Sequence, residues 1–126
     1  MKALAATAGA WVVCLALSTN TRAADVADGK ALFEKTCANC HSIEAGVNKV
    51  GPTLFDIVGR PIASVPGYDY SRKMRAVGKT WKVWNEKQLD AYLTHPRQVL
   101  HGVKMFFAVP DPRARADVIA YLNTLR

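Results

Sequence analysis

The chain has 126 residues, which leaves room for one small domain and excludes a second of ordinary size. It carries 17 Lys and Arg against 10 Asp and Glu, a formal net charge of +7. That balance favours acidic partners or anionic membrane faces, and the lack of any basic stripe interleaved with aromatic residues argues against nucleic acid.

Met1-Lys2 is a short positive start, and Ala3 to Leu17 is an apolar run shorter than the about 20 residues that span a bilayer. Polar and small residues follow through Ala24. The layout predicts a signal peptide over residues 1–23, cleaved after Ala23, and a mature domain over residues 24–126 exported to the periplasm. Cys14 leaves with the leader. Removing Lys2 and Arg22 leaves 15 basic and 10 acidic residues, a balance of +5.

Asp25 to Thr36 reads as a helix capped by Asp25 or Asp28, with Gly29, Leu32, Phe33 and Thr36 on one face. Glycine weakens a helix, so Gly29 is expected where a second helix comes close. The helix runs into Cys37-Ala38-Asn39-Cys40-His41. This is C-x-x-C-H, the attachment signature of a c-type haem: the two thiols add to the haem vinyl groups and His41 faces the iron. Zinc is the weaker reading. It needs four ligands, and beyond this motif the chain offers only Cys14, His95 and His101, at no usual zinc spacing. A thioredoxin-like disulfide would need strand signals that the chain lacks.

Ser42 to Pro66 is broken repeatedly by Gly and Pro and reads as a long loop that wraps something. Arg60, Tyr68 and Tyr70 carry polar tips able to hydrogen-bond a buried haem propionate. Ser71 to Val77 is expected to form a short helix capped by Ser71 and ended by Gly78. Asn85, with Gln88 three residues on, caps a helix from Glu86 to about Thr94 that buries Leu89, Tyr92 and Leu93, and His95-Pro96 stops it. The segment from Val99 to Pro110 is non-helical and carries Met105, a soft thioether suited to a second axial position; His95 and His101 are the rival ligands. Asp111-Pro112 opens a last helix whose apolar face, with Val118 and Tyr121, is placed to close on Gly29 and Phe33.

Taken together, the residues from about Asp25 to Arg126 resemble the class I cytochromes c, most closely the cytochrome c2 and mitochondrial-like group. The likeness rests on Gly29 and Phe33 before the C-x-x-C-H motif, Gly51-Pro52-x-Leu54, Gly59-Arg60, Pro66-Gly67-Tyr68-x-Tyr70-Ser71, Leu89-x-x-Tyr92-Leu93-x-x-Pro96, Lys104-Met105-x-Phe107-Ala108 and Asp117 through Leu122. It implies an all-α fold of about three main helices, short ones and long loops around one covalent haem c. It also implies the residue roles: thioethers at Cys37 and Cys40, His41 as proximal and Met105 as distal ligand, and the Pro52 carbonyl on His41 Nδ1. Arg60, Tyr70 and a tryptophan would hold a propionate, Tyr92 would lie near the Met105 sulfur, and Phe107 at the exposed haem edge. Spacing to Leu89 favours Trp84 over Trp81 as that tryptophan.

The implied function is a one-electron carrier and not an enzyme. It would act as a monomer between membrane redox complexes (a bc1-type reductase, a terminal oxidase or a reaction centre). Lys35, Lys49, Lys79 and Lys104 would steer it to their acidic docking faces. The chain departs from the family at His101-Gly102-Val103, where Pro-Gly-Thr is usual, and at Val109-Pro110, where a glycine is common.

Overall fold

A computed structural model describes residues 22–126; the expected leader up to residue 21, with Cys14, lies outside the described residues. Five helices follow in order: α1 Val26–Lys35, α2 Arg72–Trp81, α3 Glu86–Thr94, α4 Pro96–Val99 and α5 Pro112–Leu122, with a single 3-10 turn at Cys37–Asn39 after α1. Among the described residues there is no strand, only an isolated antiparallel bridge between Pro61 and Val83. No described helix is long and apolar enough to cross a membrane.

The helix starts follow local chemistry. Asp25 accepts from the amides of Ala27 and Asp28 at 2.9 and 3.1 Å. The Asp28 amide, the Arg22 guanidinium and the Ala27 amide hold its carboxyl below the ordinary range. Ser71, Asn85 and Asp111 cap α2, α3 and α5 in the same way, each oxygen satisfying an amide that the first turn leaves unpaired. The reciprocal half of a capping box is missing at α3, where Gln88 Oε1 is buried without a partner.

Two boundaries differ from expectation. α2 does not end at Gly78 but continues to Trp81 and stops at Lys82, which takes a left-handed φ of 66°. Gly78 is there for space: a Cβ on it would sit 3.0 Å from the Ile62 carbonyl oxygen. His95 does break α3, with extended backbone (φ −156°, ψ 85°), but Pro96 then starts a further turn, α4, because proline is pre-set for a first helical position.

α5 packs across α1 and against α3. Gly29 is the contact point, since a Cβ there would run into the Asp117 carbonyl. Beside it Phe33 and Tyr121 stack at 5.6 Å between ring centroids, an aromatic contact worth about 0.5–1.5 kcal/mol beyond its buried area. The amide of Asp25 donates to the buried Asp117 carboxylate at 2.7 Å, tying the start of α1 to α5. The two chain ends thus form one wall, and the loops between α1 and α3 close over its inner face.

Candidate haem site

Behind the α1–α5 wall lies a cavity of about 420 Å³, lined almost wholly by carbon. All ten residues singled out above border it: Cys37, Cys40, His41, Pro52, Arg60, Tyr70, Trp84, Tyr92, Met105 and Phe107. Trp81, His95 and His101 do not. The last two are exposed, while Met105 is half-buried.

The proximal side is assembled by short-range contacts. The amides of Cys40 and His41 both donate to the Cys37 carbonyl, at 3.0 and 2.9 Å, curling the motif into one tight turn that puts both thiols on the cavity wall. Burial pushes the Cys37 thiol above its ordinary pKa. His41 Nδ1 lies 2.8 Å from the Pro52 carbonyl. A carbonyl only accepts, so the proton is on Nδ1 and the Nε2 lone pair is left free. Burial lowers the His41 pKa, against the opposing pull of the Pro52 carbonyl.

Gly51 makes this possible. A Cβ there would fall 2.7 Å from Nδ1 and 2.9 Å from Nε2, so the ring lies flat on the Gly51 backbone. Asn48 holds the same loop by accepting from the Thr53 amide at 3.0 Å and donating to the Pro66 carbonyl at 3.2 Å. The sequence marked Gly51 as a chain breaker and as part of the family likeness but gave it no role at His41, and it marked Asn48 not at all; a polar side chain in a loop gives no warning of which amide it will serve.

Arg60 and Trp84 come from distant segments that pair edge to edge. Gly59 donates to the Trp84 carbonyl at 2.6 Å, Trp84 to the Arg60 carbonyl at 2.9 Å, and Ile62 to the Lys82 carbonyl at 2.9 Å. This pairing carries Trp84 into the core and leaves Trp81 outside the cavity. The Arg60 Nη atoms donate to the Phe55 and Thr53 carbonyls at 2.7 and 2.9 Å. Its Nε is buried with no partner. A guanidinium on an apolar cavity wall with its buried Nε unpartnered fits an anionic group brought in by a ligand. Burial lowers the Arg60 pKa and raises that of Tyr70, whose hydroxyl accepts from the Val65 amide at 3.3 Å.

On the distal side the strap from Val103 to Pro110 crosses the cavity mouth. Tyr92 stacks on Trp84 at 5.2 Å, and burial pushes its phenol well above the usual tyrosine range. Phe107 is 40% exposed and Phe106 75%, forming an apolar rim. Met74 of α2 also lines the cavity, a second thioether, buried on its helix.

An apolar cavity with paired thiols, a histidine lone pair and a thioether around it, and an unpartnered guanidinium Nε on its wall, defines a single-haem c-type protein. No three His, Cys, Asp or Glu side chains converge as a zinc site would require, among the described residues. The comparisons agree. The family model for cytochrome c matches residues 26–126, and the chain belongs to that family. It is 45% identical over 103 residues to cytochrome c2 of Rhodopila globiformis, covering 81% of this chain and 94% of that protein. It is 39% identical to cytochrome c of Euglena viridis, covering 81% and 98%. The ferricytochrome c2 structure from Rhodopseudomonas palustris superposes with a TM-score of 0.72 at 32% identity, covering 81% and 99%. The protein therefore has the class I cytochrome c fold, bears one covalent haem c on Cys37 and Cys40, and is an electron carrier rather than an enzyme.

Proposed function

We propose that His41 and Met105 are the two axial ligands and that the protein shuttles single electrons between membrane redox complexes in the periplasm, after loss of residues 1–23. The observation that carries the ligand reading is the His41 ring. Its Nδ1 is committed to Pro52 and its Nε2 is free beside the two thiols, with Met105 on the same cavity. The haem supplies a one-electron ferric/ferrous couple. The Pro52 carbonyl fixes the tautomer of His41 and makes its Nε2 a better donor. Met105 sits half-buried on a strap outside the helices, whereas Met74 is buried on α2. Arg60 would offer its unpartnered Nε to a propionate, with Tyr70 and Trp84 on the same cavity. Tyr92 backs the Met105 side, and Phe107 marks the edge through which electrons leave. With His41 and Met105 both holding the iron, no position on it would be left open to a substrate.

The partners proposed are acidic docking faces on a bc1-type reductase, a terminal oxidase or a reaction centre, met by the monomer. The exposed Lys35, Lys49, Lys79 and Lys104 supply the steering charge. The ferrous holoprotein is expected to keep a low-spin c-type spectrum under carbon monoxide; a shifted spectrum would remove Met105 from the sixth position. Electron transfer with membranes bearing these complexes is expected to slow as salt rises. Rates indifferent to salt would remove the acidic docking faces.

A further inference from the structure

The strap that carries Met105 has no hydrogen-bond ladder of its own. Among the described residues, the main chain of residues 104–108 makes no hydrogen bond; the nearest are Val103 to the Leu100 carbonyl at 3.3 Å and Val109 to the Leu93 carbonyl at 2.7 Å. The strap is held by its ends. At the near end, Lys104 Nζ donates to the Asp69 carbonyl at 2.6 Å and faces the Asp69 carboxylate at 3.4 Å, with Lys104 and Asp69 side chains 55% and 85% exposed. Such a contact is weak and screened by salt.

The far end is different. Arg115 of α5 is a buried arginine. Its Nη1 donates to the carbonyls of Val109 and Pro110, at 3.1 and 2.8 Å, and its Nε to the Asp90 carboxylate on α3 at 2.8 Å. One rigid fork therefore joins two helices to the last residues of the strap. Val109 borders the cavity; Arg115 does not.

We infer that Arg115 is the positioning residue for the distal side: it fixes the exit of the strap, and through it the reach of the Met105 sulfur. This rests on Met105 being the distal ligand. Without the fork the Val109 and Pro110 carbonyls lose their partner, and residues 104–108 gain slack that no main-chain bond takes up. Lysine cannot replace it, because a single ammonium on a flexible stem cannot hold that planar arrangement of three acceptors.

The test uses the ferric holoprotein and reads two things: the thioether-to-iron charge-transfer band, and the rate at which cyanide displaces the sixth ligand. Arg115→Met is expected to bleach the band and to bind cyanide about tenfold faster or more, from the unpaired carbonyls. Arg115→Lys should fall between it and the natural protein, and serves should Arg115→Met fail to fold. Asp117→Ala is the control. It breaks the buried α1–α5 tie at Asp25, so it lowers unfolding stability without touching the strap. Its cyanide rate should match the natural protein. Unchanged band and cyanide rate in both Arg115 variants would overturn the inference, as would an Asp117→Ala rate that rises equally for equal loss of stability. A natural protein that itself lacks the band would instead overturn the Met105 reading.

Discussion

On the proximal side of the cavity, His41 is held by its own neighbourhood: the turn from Cys37, the Gly51 backbone beneath the ring, and the Pro52 carbonyl on Nδ1. On the distal side, Met105 hangs on a strap whose anchors, Asp69, Leu93 and Arg115, come from three other parts of the chain. The first arrangement forms with a short loop closure and is tied covalently through the haem. The second exists only once the loop at Asp69, α3 and α5 are in place. Local opening follows contacts of this kind, so the distal side is the lower-stability half of the site. An electron carrier can use that difference if Met105 is the distal ligand proposed above: the residue that would tune the couple then sits on the softer wall, while the covalent wall keeps the haem in register.

The contrast can be broken or sharpened by substitution. The largest effect is expected from replacing both Cys37 and Cys40 by Ala. Covalent haem should vanish, read as loss of haem stain on a denaturing gel, because no other described cysteine is available. Met105→Ala comes next. The haem should stay attached, carbon monoxide should bind the ferrous form, and the potential should fall by on the order of 0.1 V within the roughly 0.8 V that axial ligands span. A potentiometric titration checks it.

Gly51→Ala tests the proximal wall without replacing His41. The added methyl must push on the His41 ring, so stability to denaturant should drop by about 1–3 kcal/mol. The charge-transfer band of the distal thioether should survive. The smallest effect is expected from Asp69→Ala. Its ion pairs with Lys104 and Arg75 are exposed, so stability should change by less than about 1 kcal/mol. The cyanide rate should rise slightly at low salt and converge on the natural rate at high salt.

Much of the proximal side was legible from sequence because its chemistry is local. C-x-x-C-H carries its own spacing, and the caps at Asp25, Ser71, Asn85 and Asp111 need only a short polar side chain before a helical pattern. Gly78 was misread for the same reason: glycine after an apolar run looks like a helix end, and nothing nearby reveals that Ile62 packs against it. For the two tryptophans, three residues apart, spacing to Leu89 favours Trp84 but says nothing of where its ring goes. Only the pairing of residues 59–62 with 82–84 sends Trp84 inward.

The sequence by itself determined the attachment motif, the order and starts of the main helices, and the set of side chains able to serve a haem. Each of these depends on groups a few residues apart, whose geometry the backbone dictates. The tertiary structure alone decided that all ten candidates share one cavity, that His95 and His101 stay outside it, and that Arg115 reaches the strap. Those outcomes depend on loop closures between segments far apart in the chain, where direction is set by packing rather than by spacing.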